Sequence, residues 1–293
     1  MQTSTCNLPS ARSLTEAAGF RKRDLRLFSE THSHAMPRLH FTCAYNGEPF
    51  RGWQSQPGGN TVQDVIEAAF ENVLHTPLRI SSSGRTDAGV HARDQHFHVD
   101  VPDNCSLAPE NWRAAINANV PAAIRILHVQ EVGADFHARF SATAKTYEYI
   151  INRAPVCSPF LAGRVWHRPQ PMDEGLMAQA LQCFVGEHDF RRFAANRGNE
   201  PLDPPPDFYL RTIYSATCER SGDLLRIRLR GNGFMYRMVR LLVGSAHQVA
   251  LGRASLDELQ AMLTDPLGEK TRYGAPAAGL YLDHVEYGTG NGD

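Results

Sequence analysis

One carboxylate, Asp87, sits between two glycines in the polar run Ser83-Gly84-Arg85-Thr86-Asp87-Ala88-Gly89-Val90-His91-Ala92. Glycine on either side lets the backbone take positive φ and lets a substrate come close. Arg85 offers the planar fork of donors that suits a phosphate or a carboxylate. An acid presented beside an arginine on a tight turn can act as nucleophile or base toward an anionic ligand. On spacing alone the run is equally an Asx-type turn with a solvated aspartate. The residue types admit a second chemistry. His91, His96 and His98 lie close to Asp94, and His-x-His on a strand sets two imidazoles on one face, as a metal hydrolase would need.

The overall charge does not advertise a polyanion partner. The 293 residues carry a formal net charge of −1, with a pI near 6.9. Positive charge for a nucleic acid would have to be gathered locally. Residues 211–240 do gather it, with seven arginines against Glu219 and Asp223. Within that stretch Arg226, Arg228 and Arg230 alternate strictly with Leu225, Ile227 and Leu229. A strand of period two aims the three guanidinium groups the same way, either at phosphates or simply at solvent.

The elements that must hold these residues are legible from periodicity. Leu39, Phe41, Cys43 and Tyr45 alternate as a strand, with Cys43 in the core. Thr61 caps a helix striped by Val62, Val65, Ile66, Ala69, Phe70, Val73 and Leu74. Short strands are expected at 78–80 and around Phe97, Val99 and Val101, then a helix over 110–118 and a strand over 124–132. Further strands are expected at 145–151, 211–218, 224–230 and 281–287, with helices at 174–184, 234–251 and 256–263. Four prolines in 201–206 demand an irregular loop.

An apolar share of 42 % with 9 % aromatic residues fits a globular chain with a sizeable core. No apolar run approaches the roughly 20 residues of a membrane span. Six cysteines without close pairs give no zinc ribbon or redox motif, and together with the lack of a signal peptide they suggest reduced thiols in the cytoplasm.

The Asp87 run resembles the signature of the tRNA pseudouridine synthase A (TruA) family, and five further stretches resemble it in order. Upstream these are Tyr45-Asn46-Gly47 with Phe50-Arg51-Gly52-Trp53-Gln54 and Thr61-Val62-Gln63. Downstream come Phe136-His137-Ala138-Arg139-Phe140-Ser141-Ala142 with Lys145-Thr146-Tyr147-Glu148-Tyr149, then Gly186-Glu187-His188-Asp189-Phe190. Gly231-Asn232-Gly233-Phe234 leading to Arg240, and Ala275-Pro276-Ala277-Ala278-Gly279, complete the set over residues 38–288.

The resemblance implies an α/β (α+β) fold of two fused RRM-like domains with mixed or antiparallel sheets, helices on one face and a cleft between them. Residues 37–140 would carry the aspartate loop, and 141–293 its tyrosine and arginine partners. Residues 1–36 match nothing in the family and are expected to be a disordered extension. The implied reaction isomerises uridine to pseudouridine in tRNA, at positions 38 to 40 of the anticodon stem-loop, by a homodimer. Asp87 holds the place of the family's nucleophile, Arg240 that of the arginine paired with it, and Tyr147 that of the tyrosine stacking on the target uracil. Arg85 corresponds to the arginine that assists flipping of the nucleotide, and the Arg226, Arg228 and Arg230 row would add RNA contacts.

The family uses no metal or other cofactor, so none is expected. His96 and His98 replace more apolar residues, for packing or for surface RNA contact. RRM-like sheets also bind RNA without reaction. The competing function is therefore a non-catalytic RNA-binding protein of the same fold, one free to lose Asp87, Tyr147 and Arg240; all three are present.

Overall fold

The computed structural model describes residues 36–288 apart from 103, 104, 106, 199, 200 and 203. All but the last residue of the expected 1–36 extension lies outside the described residues. Among the described residues ten strands join in one mixed sheet: β1 (Arg38–Tyr45), β2 (Ser81–Ser82), β3 (His91–Asp100), β4 (Ile124–Val132), β5 (Ala142–Asn152), β6 (Trp166–His167), β7 (Gly186–Asp189), β8 (Leu210–Ser221), β9 (Leu224–Gly231) and β10 (Leu280–Tyr287). Five described α-helices accompany them: α1 (Val62–Leu74), α2 (Pro109–Asn119), α3 (Glu174–Gln182), α4 (Met238–Ala250) and α5 (Leu256–Thr264). The main strand order is β4-β1-β3-β10-β5-β9-β8-β7. The expected mixed α/β architecture is thus the one observed. β10 stitches the sheet together, running parallel to β3 and antiparallel to β5. No described helix is long and apolar enough to cross a membrane.

Alternation decides which face of the sheet takes the helices. Phe41 and Phe97 stack at 4.9 Å across the β1–β3 ladder, and Phe70 of α1 meets both rings edge-on. Cys43 is fully buried in the same core. Thr61 caps α1 in a capping box with Asp64, a device worth about 1 kcal/mol. Farther along the sheet, Tyr149, Ile151, Leu225 and Ile227 share the core with Leu242 and Val243 of α4.

The other face is polar but not all of it is wet. His40 and His96 are buried beneath Phe136 and Tyr287, with His40 Nε2 2.8 Å from His96 Nδ1 and His96 Nε2 3.0 Å from Asp94. Burial holds His40 and His98 down to about 4, so both are neutral packing groups at physiological pH. Asp94 also accepts from Val285 N–H and so helps to clip β10 onto β3.

Three departures from the expected elements have local causes. The short strand forms at 81–82 rather than 78–80, because Glu67 and Gln63 of α1 take the N–H and carbonyl of Ile80. Helix α4 begins at Met238 instead of near 234, since Arg237 adopts φ 59°, a left-handed conformation that interrupts the turn. β6 and β7, of two and four residues, are too short to show a period.

Candidate active site

Asp87 lies on the loop between β2 and β3, and the loop is anchored on all sides. Trp53 N–H donates to Thr86 O at 3.1 Å, and the hydroxyls of Tyr45 and Thr86 meet at 2.9 Å. Gln95 donates to Gly84 O at 2.9 Å, and Lys145 Nζ donates to Ser83 O at 2.6 Å. Gly52, at φ +93°, passes so close beneath that a Cβ there would stand 2.7 Å from Thr86 O. Of the two glycines flanking the acid, Gly89 uses its freedom (φ +76°), whereas Gly84 leaves room for the Lys145 ammonium. His91 is a pin rather than a reactive group. Its Nδ1 accepts from Gly47 N–H at 3.1 Å while Nε2 faces the carbonyls of Gly163 and Ala278. Burial lowers its pKa, in keeping with a neutral ring whose Nε2 carries the proton.

Arg240, in the first turn of α4, reaches Asp87 across 153 residues of sequence, with Nη1 3.1 Å from Oδ2. Its Nε donates to Ala275 O at 2.7 Å, which fixes the plane of the guanidinium. Both side chains are only 17–18 % exposed, so the pair is partly desolvated without being sealed. Tyr147 lines the same cleft from β5, 9 % exposed, with its ring edge-to-face on Phe234 at 5.1 Å. Burial, then the charge of Asp87, pushes its phenol pKa up, so the hydroxyl stays protonated. The structure therefore brings Asp87, Tyr147, Arg240 and Arg85 to one place, a cleft of about 940 Å³ whose walls include Arg85, Asp87 and Tyr147.

Electrostatics in this cleft are one-sided. Arg85, Arg139, Lys145, Arg197, Arg211 and Arg237 line it, and Asp87 is the sole carboxylate among its described lining residues. Burial, and then the charge of Arg139, lowers Lys145 to about 8, well below the ordinary lysine range. Burial and the Arg139 charge also depress Arg211, while Arg85 is depressed by burial and by Arg197 and Arg139. Mutual repulsion of this kind is relieved by a bound polyanion. Seven described Phe, Tyr and Trp side chains share the walls, among them Trp53, Phe140, Tyr147, Tyr209 and Tyr236. A basic groove interleaved with aromatic rings suits an opened-out nucleotide strand.

Arg226, Arg228 and Arg230 do project together, but from the opposite face of β9, and none lines the cleft. Arg226 and Arg228 converge with Arg93 on Glu148, a carboxylate only 1 % exposed, at 2.8–3.3 Å. Arg230 forks onto Glu286 with two contacts of 2.6 Å. Sequence reasoning gives Lys145, Arg139 and Arg211 no site role of their own, although Arg139 and Lys145 stand in family-like stretches and Arg211 in the arginine-rich 211–240 segment. Lys145 had a usable signal, because it sits two residues before Tyr147 on the same strand face. Among the described residues no group of three or more His, Cys, Asp and Glu side chains is placed to hold a metal ion.

A family model described as tRNA pseudouridine synthase matches residues 42–141 and 180–288. The chain is 49 % identical over 253 residues to a tRNA pseudouridine synthase A of Akkermansia muciniphila, covering 86 % of this chain and 96 % of that one. It is 43 % identical to the protein of that name from Solibacter usitatus and 40 % identical to that from Brevibacillus brevis, covering 86 % of this chain and all of each relative. Asp87 and Arg240 stand within the matched segments, as do the cleft residues other than Lys145 and Tyr147, which lie on β5 in the interval between them. On these matches, the chain belongs to the tRNA pseudouridine synthase family.

Proposed function

We propose that this chain isomerises uridine to pseudouridine in tRNA, at positions 38 to 40 of the anticodon stem-loop, as a cytoplasmic homodimer that holds the RNA across both copies. The observation that carries the reading is Asp87, one acid held by Arg240 in a cleft whose other described Asp, Glu, Lys and Arg lining residues are all cations. The reaction breaks the bond from N1 to the ribose C1′ and joins C5 to the same carbon. N1 gains the proton that C5 loses. Asp87 acts as the nucleophile, Arg240 holds its carboxylate in one rotamer, and Tyr147 receives a face of the uracil. A base in a helical stem must leave its stack first, at a cost of a few kcal/mol, and Arg85 on the exposed side of the aspartate loop is placed to fill the gap.

Incubation of the protein with unmodified tRNA transcripts, followed by chemical mapping of pseudouridine, tests this directly. Product in the anticodon arm supports it. Tight binding without product would leave an RNA-binding protein of the same fold, and sedimentation of the free chain tests the dimer.

The cleft cations make two further predictions. Lys145 ionises near pH 8, and a bound phosphate favours its charged form. Affinity for tRNA should therefore fall as pH rises above about 8, by at most about tenfold per pH unit for one proton. Arginines do not titrate in that range. Fluorescence titrations from pH 7 to 9 should show the fall in wild type and a flatter profile in Lys145→Met.

Salt dependence separates the two arginine groups. Arg139→Gln with Arg211→Gln should lower the slope of log Kd on log salt by about two phosphate contacts, at roughly 0.9 each. We assign Arg226, Arg228 and Arg230 a smaller share of RNA binding, since each is already held by an acid. Arg226→Gln with Arg228→Gln should change the slope by less than one contact, while costing about 1–2 kcal/mol of stability through the uncovered Glu148. A slope change as large as that of the cleft pair would place RNA on that face too.

A further inference from the structure

Exposed apolar side chains scattered over a surface need no explanation. Phe140 differs from the others by position. It is 76 % exposed, and of the exposed large hydrophobic residues described it alone lines the cleft. Nor is it a loose side chain on a slack loop. The turn that carries it, residues 136–141, is tied down at nearly every step. Arg38 donates to Phe136 O at 2.8 Å, Tyr287 OH donates to Ala138 O at 2.7 Å, and Ala138 N–H donates to Nδ1 of buried His98 at 3.1 Å. His137 N–H bonds Ser141 Oγ at 3.0 Å, and Ser141 N–H returns to His137 O at 2.9 Å. The tethers give His98, one of the two histidines replacing more apolar residues, a defined task.

The immediate surroundings of the ring point to its occupant. His137 Nδ1 accepts from the backbone N–H of Arg139 at 3.1 Å, which fixes its ring 4.4 Å from Phe140 at an angle of 37°. One side of Phe140 is therefore backed by an aromatic ring. The guanidinium of Arg139 lies 5.7 Å from the Phe140 centroid. A rigid aromatic ring with an arginine guanidinium over it, opening into a groove of cations, is complementary to a nucleobase with its phosphate and not to an apolar peptide.

We propose that Phe140, backed by His137 and flanked by Arg139, is a second stacking platform, one that takes an unpaired base of the substrate RNA neighbouring the target uridine. It rests on the reading of the cleft given above, in which the reacting uracil lies against buried Tyr147. Two aromatic stations in one cleft, one on the floor and one at the rim, would hold two successive nucleotides unstacked from each other. The rim station helps to keep the strand open while the target is turned over.

The test uses unmodified tRNA transcripts with 2-aminopurine replacing one anticodon-arm nucleotide beside the target, bound to protein carrying Asp87→Asn so that turnover does not intervene. With Phe140 present, 2-aminopurine emission is quenched on binding at one of these positions. Phe140→Ala should abolish that quenching and weaken binding about ten- to a hundredfold, the range for loss of one base–aromatic stack. Phe140→Trp should bind within about threefold of the parent, and Phe140→Leu should be as weak as the alanine variant, since bulk without a π-face does not stack. Thermal melts should be unchanged because the side chain is exposed. Unchanged affinity and quenching in Phe140→Ala, or parental binding by Phe140→Leu, overturns the proposal. Product formation by the chain with Asp87 restored is scored separately. Turnover with no effect of Phe140→Ala removes the platform and leaves the proposed reaction standing. Loss of binding in Phe140→Ala without turnover by wild type does the reverse.

Discussion

Asp87→Asn should abolish pseudouridine formation, by at least about a thousandfold in single-turnover rate, while tRNA affinity stays within several-fold of wild type. The substitution is nearly isosteric. The amide oxygen can still accept from Arg240 Nη1, so the 3.1 Å contact and the loop anchored through Thr86 and Gly84 survive. What disappears is the negative charge and with it the capacity to form a covalent or proton-transfer intermediate. Asp87→Ala should be equally inactive but should bind tRNA at least as tightly, because it removes the sole carboxylate among the described residues of a cleft lined by six cations. That opposite movement of turnover and affinity separates chemistry from binding. A general unfolding would lower both. Wild-type turnover by either variant would remove Asp87 from the reaction, and a parallel collapse of affinity would make it a structural residue of the loop.

How much of this site was visible in the sequence depends on whether the relevant contact is local. The Thr61 cap, the α1 stripe and the β1 alternation depend on residues within a few positions of one another, and the structure has them as read. The β9 row illustrates the limit. Alternation correctly put Arg226, Arg228 and Arg230 on one face, but their partners Glu148, Asp283 and Glu286 come from β5 and β10. Period alone cannot tell a solvated or RNA-facing row from one already neutralised. The strand expected at 78–80 failed for a related reason, since side chains of α1 captured the backbone of Ile80. His96 and His98 looked anomalous because their fellows His40, Tyr287 and His137 are distant in sequence. The aspartate loop was legible as a glycine-flanked acid beside an arginine. That it faces Arg240 across 153 residues followed only from the resemblance, because nothing local to either residue encodes the pairing.

Arg240→Lys should be nearly as damaging as loss of the acid, despite keeping the charge. Arg240 divides its donors, Nε going to Ala275 O at 2.7 Å and Nη1 to Asp87 at 3.1 Å. The two directions are set by one rigid plane, so the bond to Ala275 aims the other nitrogen at the carboxylate. An ammonium is a single point on a flexible stem and cannot satisfy both at once. Helix α4 cannot shift to help. Gly244 packs so closely on the 273–275 segment that a Cβ there would stand 1.9 Å from Tyr273 O, and Ala275 N–H donates to Arg240 O at 2.9 Å. The lysine must therefore choose. Bonded to Ala275 O, it leaves Asp87 free to rotate; bonded to Asp87, it leaves a carbonyl unpaired beside the helix, at about 1–3 kcal/mol. The expected result is a kcat lower by about a hundred- to a thousandfold with KM within several-fold, because what is lost is the orientation of the reacting group rather than contact with the RNA. A KM that rises in step with the fall in kcat would mean that Arg240 binds tRNA directly. Near-wild-type kcat would mean that charge alone, without the fork, is enough to hold the acid.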